Sequence, residues 1–284
     1  MFNYQNNQTQ HKIAQNDQAA GLRRIMATPK PRIVSVLSTS PSRDQARLMD
    51  NLATPIAAHG SDVLILHASH ESSEKIYEID KFPALLDVIN EKSLMQSAIK
   101  NAGNGFSVAK LMPSHQVGTP LDSFLSEQLN TIFIGLAQQY EIILVDAALN
   151  SDHLLPLKAL NEGEIIIKLT RHAESIKEAY ALIKKIYGQL GRRSFGIIVD
   201  SASDEQAQVI FDNISQVAKR FMQIDLDYFG AIPPDVHLSR AAKLGRSVMD
   251  AFPMAIASTA FKQIAQRLDS KHDNQADTKL ISII

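Results

Sequence analysis

Residues 33–66 read IVSVLSTSPSRDQARLMDNLATPIAAHGSDVLIL, and the order of apolar runs in this stretch decides the fold. Residues 33–37 are a short run rich in β-branched side chains. Met49, Leu52, Ala53 and Ile56 then recur at helical spacing, Gly60 is placed to stop that helix, and 63–66 form a second β-rich run. Strand, helix and strand in this order make a β-α-β unit with parallel strands.

The pattern continues outward. Further apolar runs at 106–111, 142–145, 165–169, 195–199 and 228–232 are separated by helical stretches such as 126–138 and 175–190. The runs are continuous rather than alternating, so the sheet they build is covered on both faces. The expectation is a single three-layer α/β domain with a mostly parallel, doubly wound sheet, spanning 33–268 and closed by a helix over 254–268. Ahead of it, 1–32 read as a polar tail holding a short helix at 14–26 and a stiff linker, because Pro29 and Pro31 remove donors and restrain their neighbours. Behind it, 269–284 read as a polar tail ending in Leu280-Ile281-Ser282-Ile283-Ile284.

Composition sets limits on function. With 284 residues and 45% hydrophobic content the chain can bury one large core. A formal net charge of -1 creates no global field towards nucleic acid or anionic lipid, so no nucleic-acid partner is expected. Cysteine is absent, which excludes disulfides and thiolate metal sites. The Asn/Gln-rich N-terminus lacks the apolar core of a secretory signal, and no window is long and apolar enough to span a bilayer, so a soluble cytoplasmic protein is expected. The 9 histidines are scattered, with His67 and His70 the one close pair, and no metal site is expected. No Ser/His/Asp set sits in a nucleophile-elbow context. Lys184-Lys185 and Arg192-Arg193 read as a solvated face. The apolar C-terminus is too short for stable membrane insertion alone.

Specific residues add a likeness to this frame. Asn51-Leu52-Ala53 with Ala57-Ala58-His59-Gly60 and Val63-Leu64-Ile65-Leu66, then Tyr140-Glu141-Ile142-Ile143-Leu144-Val145-Asp146, then Ala173-Glu174-Ser175-Ile176 with Glu178-Ala179-Tyr180, then Phe229-Gly230-Ala231-Ile232-Pro233-Pro234-Asp235 follow in order. In this order they resemble the first helix, Walker B strand and later motifs of the MinD/ParA-type P-loop ATPases. The resemblance implies a nucleotide loop of the type Lys-Gly-Gly-x-Gly-Lys-Thr between the first strand and first helix. Counted back from Asn51, its positions fall on Ser40, Pro41, Ser42, Arg43, Asp44, Gln45 and Ala46.

Four of these work against phosphate binding. Pro41 has no N–H, Asp44 brings negative charge, Gln45 lacks the lysine's cation and Ala46 lacks the magnesium-binding hydroxyl. The signature lysine of the family is replaced by Ser40, the acids expected after the second strand by His67 and Ser69, and an asparagine expected after 195–199 by Asp200. Asp146 alone remains, as a Walker B remnant or as a strand-end carboxylate capping a neighbouring loop or helix. Arg43 leaves room for weak anion binding without hydrolysis. No cofactor is expected, and ATP with magnesium is the alternative.

Asp17-Gln18-Ala19-Ala20-Gly21-Leu22-Arg23-Arg24 narrows the likeness, because it is similar to the N-terminal Asp-Gln-Ala-x-x-Leu-Arg motif of the FlhG (FleN) branch, regulators of flagellar number. The resemblance implies that Asp17, Gln18, Ala19, Leu22 and Arg23 form an activator helix for the GTPase FlhF, with Gln18 ordering the attacking water. The other reading is a terminal helix packed on its own domain with Asp17 as its cap. The expectation is therefore a pseudo-ATPase regulator, monomeric or a nucleotide-independent dimer. Its implied partners are FlhF, flagellar switch proteins and a flagellar transcription regulator, which could bring it to the cell pole. Its alternatives are an active or weakly nucleotide-binding MinD-like ATPase and a MinD-like scaffold for another secretion or pilus system.

Overall fold

The computed structural model describes residues 31–39, 45–69, 81–90, 92–102, 105–117 and 121–281. Asp17, Gln18, Ala19, Leu22 and Arg23, and Ser40, Pro41, Ser42, Arg43 and Asp44, lie outside the described residues.

The expected alternation is present. Strand β1 (Arg32–Ser38) leads to helix α1 (Gln45–Ala58) and strand β2 (Val63–His67), and two short helices, α2 (Leu85–Ile89) and α3 (Met95–Ala98), precede β3 (Ile99–Asn101) and β4 (Phe106–Lys110). Helix α4 (Ser123–Ala137), β5 (Ile142–Asp146), β6 (Glu164–Thr170), α5 (Ala173–Leu190), β7 (Phe195–Asp200), α6 (Asp204–Met222) and β8 (Leu226–Ile232) follow. The order ends with α7 (Val236–Lys243), α8 (Val248–Ala251) and α9 (Ile256–Ile281). One 8-stranded sheet runs in the order β3-β4-β2-β5-β1-β6-β7-β8. Every neighbour pair is parallel except β3 with β4, an antiparallel edge that the sequence pattern did not signal.

Two apolar layers sandwich the sheet, as the continuous strand runs require. On one face α4, α5 and α6 deliver Leu129, Phe133, Ala179, Ile183, Ala207 and Ile214 to the core. On the other, α1 and α9 deliver Leu48, Met49, Leu52, Ile56, Phe261 and Ile264. Gly60 ends the first helix region with a positive φ of 101°, as its position in the sequence predicts. The helix α6 has its own sequence signal, a capping box in which Ser203 Oγ accepts from the Gln206 N–H and Gln206 Oε1 accepts from the Ser203 N–H.

The structure corrects some boundaries. The last helix does not stop at Leu268: its backbone remains helical to Ile281, so 269–281 are not a structureless tail. It also starts at Ile256 rather than Met254, and the first strand starts at Arg32 rather than Ile33. Arg193 is no solvated cation. Its guanidinium donates to the carbonyls of Asn161, at 2.7 Å, and Gly163, pinning the turn that leads into β6. Burial lowers its pKa, against the opposing pull of Glu162.

A bulge shapes the last strand. Tyr228 pairs with Ile197 but Gly230 pairs with Ile198, leaving Phe229 as the extra residue. Arg267 of α9 supplies the missing donor, with Nη1 at 2.9 Å from the Phe229 carbonyl. Gly230 takes φ of 143°, a conformation open to glycine, and the Phe229 ring lies over Gly196. A Cβ on Gly196 would stand 2.6 Å from Phe229 Cε2 and 2.9 Å from Ile166 Cγ1. Gly196→Ala is therefore expected to destabilise by about 1–3 kcal/mol through overpacking. Gly188→Ala, in α5 with nothing within 4 Å of the added Cβ, is expected to stabilise by about 0.5–1 kcal/mol. Urea unfolding of the two variants checks the contrast.

Candidate functional site

Parallel sheets bind ligands outside the carboxyl ends of their strands, and here those ends carry buried polar side chains. Register sets them in a row. Lys110 on β4 pairs with His67 on β2, His67 pairs with Asp146 on β5, and Asp146 pairs with Val36 on β1. Across β1, Ser38 pairs with Lys168 on β6, and Thr170 pairs with Asp200 on β7. Side chains in register share a face, and Val36 belongs to the core beneath α1. The row therefore lies on the α1 face, at the place where β1 hands over to the helix.

Two side-chain contacts organise it. His67 Nδ1 is 3.1 Å from Asp146 Oδ2, with side chains 2% and 1% exposed. Lys168 Nζ is 3.6 Å from Asp200 Oδ2, with side chains 3% and 25% exposed. Buried charge of this kind persists only when paired. Asp146 thus spends one oxygen on His67. Among the described residues its Oδ1 is buried without a hydrogen-bond partner, as are Ser69 Oγ and Gln45 Oε1.

The helix start shows the same inward turn. Gln45 is 4% exposed, and its Nε2 donates to the Val36 carbonyl at 3.2 Å, back onto the strand it follows. Ala46 is buried at 1%. Nearby, Thr39 Oγ1 and Ser175 Oγ meet at 2.6 Å, and the Thr170 N–H donates to Ser175 Oγ at 2.8 Å, tying the end of β1 to the start of α5. Neither hydroxyl was marked by spacing arguments, because Thr39 and Ser175 are 136 positions apart.

Asp235 closes the far side of this rim. Its Oδ1 accepts from the His237 N–H at 2.9 Å and contacts His237 Nδ1 at 2.7 Å, and its Oδ2 accepts from the Ala257 N–H at 3.1 Å. Burial pushes the carboxyl up, but the His237 and Ala257 N–H bonds and the His237 ring outweigh it and hold it below the ordinary carboxylate range. The aspartate is the N-cap of α7 and also the anchor of the α9 N-terminus.

Among the described residues no cluster of three or more His, Asp or Glu side chains could hold a metal ion. No helix among them is long and apolar enough to cross a membrane.

No protein-family model matches the chain. It is 26% identical over 223 residues to the antiactivator FleN of Pseudomonas aeruginosa, covering 78% of this chain and 80% of that protein. It is 24% identical over 268 residues to an uncharacterised ATP-binding protein of Methanocaldococcus jannaschii, covering 91% of this chain and 96% of that one. Among solved structures it is similar to the MinD cell division protein of Aquifex aeolicus, with a TM-score of 0.63 and 18% identity, covering 84% of this chain and 97% of that chain. A ParA family ATPase of Chlorobium tepidum gives 0.61 at 18% identity, covering 83% and 98%. The fold is that of the MinD/ParA P-loop ATPases, and the sequence likeness to FleN spans most of both chains.

Two predictions follow from the contacts. His67→Ala and Asp146→Ala each remove the buried 3.1 Å contact and are expected to cost about 1–3 kcal/mol, while the double variant costs less than the sum by about 0.5–3 kcal/mol. Additive losses in denaturant titrations would show that the pair is not coupled. Asp235→Ala is expected to cost about 1 kcal/mol or more near neutrality. Since the folded carboxyl is held low, its contribution is full above the ordinary carboxylate pKa and fades as pH falls through the folded value, so the gap to wild type should close in acid.

Proposed function

We propose that this chain is a regulator of flagellar number or placement of the FlhG type, acting by binding partners and carrying no ATPase activity of its own. Gln45 is the observation that carries the proposal. At the position where the resemblance expects a phosphate-binding lysine, the chain has a buried neutral amide turned onto the Val36 carbonyl. Ala46 offers no hydroxyl to magnesium, and Asp146 already holds His67. These residues do not fit a magnesium nucleotide.

The likeness to an antiactivator supports the same reading, since restraining an activator takes a surface and not a reaction. On this proposal Asp17, Gln18, Ala19, Leu22 and Arg23 supply the output towards FlhF, where the Gln18 amide would order water for in-line attack on GTP. Flagellar switch proteins and a flagellar transcription regulator are the further partners, and they would bring the chain to the cell pole from the cytoplasm.

A second reading has its own observation. Asp146 Oδ1 and Gln45 Oε1 are buried acceptors without a partner among the described residues, as a retained ligand or ordered water would leave them. Together with the likeness to an ATP-binding protein, this favours weak nucleotide binding.

Titration calorimetry with ATP and magnesium separates the two, with no binding heat expected; micromolar binding accompanied by turnover overturns the pseudo-ATPase proposal. In a GTPase assay the chain is expected to raise FlhF turnover and Gln18→Ala to lose that effect. Equal stimulation by the variant removes the activator role.

A further inference from the structure

Charge is unevenly spread along the chain. The whole has 29 Lys and Arg against 30 Asp and Glu, yet 236–268 hold five cations, Arg240, Lys243, Arg246, Lys262 and Arg267, against one acid, Asp250. Two of the five are engaged, Arg246 with Asp250 at 2.6 Å and Arg267 with the Phe229 carbonyl. Arg240, Lys243 and Lys262 are exposed, and none of the three has an ion-pair partner among the described residues. The acids on the neighbouring elements do not reach them: Asp235 is turned inward onto His237 and the Ala257 N–H, and Asp50 of α1 is buried behind α7.

Large apolar side chains stand among these cations. Val236 is 64% exposed, Leu244 61%, Met254 93% and Ile256 70%. Val236, Arg240, Lys243 and Leu244 follow the i, i+4, i+7, i+8 spacing of one helical face and are all exposed, so they form a ridge about 12 Å long. The turn into α9 sets Met254 and Ile256 beside it. Two contacts fasten turn and ridge together: the Ala257 N–H donates to Asp235 Oδ2 at 3.1 Å, and the His237 and Phe252 rings meet with centroids 4.8 Å apart. Single exposed apolar residues are ordinary, but four on one basic corner mark a surface that binds something.

We infer that this corner is the docking surface for an acidic amphipathic helix of a partner protein, one with an apolar stripe flanked by Asp or Glu. Such docking rests on the partner-binding role proposed above and gives it a place on the main domain. Charge selects an acidic partner, because Arg240, Lys243 and Lys262 have no internal bridge to give up on pairing. Shape selects a helix, since a two-turn ridge with a parallel apolar row beside it matches the repeat of a helical stripe. Interleaving argues against a bilayer. Arg240 stands one turn from both Val236 and Leu244, so sinking those side chains in hydrocarbon draws the guanidinium in with them, whereas a helix can set a carboxylate opposite it. A nucleic acid would pair the cations and leave the four apolar side chains unburied.

Fluorescence anisotropy with the full chain tests it, using a labelled synthetic peptide of about 14 residues with leucine at helical spacing and glutamate on the flanks. Binding is expected, and it should fall in high salt. A peptide with glutamine for glutamate is expected to bind about tenfold more weakly or worse. Arg240→Glu with Lys243→Glu should weaken the acidic peptide to a similar degree and favour a peptide carrying lysine in its place. Met254→Ser with Ile256→Ser should weaken it too, at unchanged net charge. Circular dichroism checks that each variant is folded. Failure of the acidic peptide to bind folded wild type overturns the inference, as does equal binding of the acidic and glutamine peptides or by the charge-reversed variant. So does co-sedimentation of wild type with anionic phospholipid vesicles that Met254→Ser with Ile256→Ser abolishes, which would make the corner a bilayer contact. The peptide assay contains neither FlhF nor nucleotide, so its failure removes this surface alone, and a failed GTPase assay with peptide binding intact removes the activator role alone.

Discussion

Arg32 holds the fold at its centre. It opens β1, the strand with β5 on one side and β6 on the other, and its side chain is 5% exposed. Nε and Nη2 grip the Glu164 carboxylate at 2.5 and 2.8 Å, and Nη1 donates to the Leu268 carbonyl. A guanidinium withdrawn from water is tolerated only with such a full set of acceptors, and the planar fork suits a carboxylate held by two bonds. The same contact thus fixes where β6 begins beside β1 and where α9 lies across the sheet. Everything at the opposite end of the strands inherits its position from that alignment.

The layered fold was legible because both faces of the sheet are covered, which leaves unbroken apolar runs in the sequence. Met49, Leu52, Ala53 and Ile56 advertise α1, and all are fully buried. The edge was illegible for the converse reason: Ile99–Asn101 is only half covered and too short to carry a period. The helical continuation past Leu268 was hidden by its polarity, because 269–279 carry no apolar stripe of the kind by which helices are recognised. At the rim, residue types could be listed from the likeness, but not their partners. His67 and Asp146 are 79 positions apart, and only the β2–β5 register brings them together.

The rim shows how the polar side chains at the strand ends are held by one another. In a nucleotide site the strand-end carboxylate faces ligand; here it faces His67, and Lys168 faces Asp200. Removing one member of such a pair strands the other in a low dielectric, whereas keeping both costs little further.

The bulge in β8 has a consequence for the life of the chain before and after folding. Parallel sheets form slowly, and an open edge of backbone donors and acceptors invites strands from other molecules. Arg267 occupies the Phe229 carbonyl, the register breaks at that point, and the guanidinium lies 5.5 Å from the Tyr228 ring. A foreign strand arriving there meets a positive charge and a missing rung. At Phe229 this edge is therefore a poor template for a further strand, because its carbonyl is already taken and the register is broken.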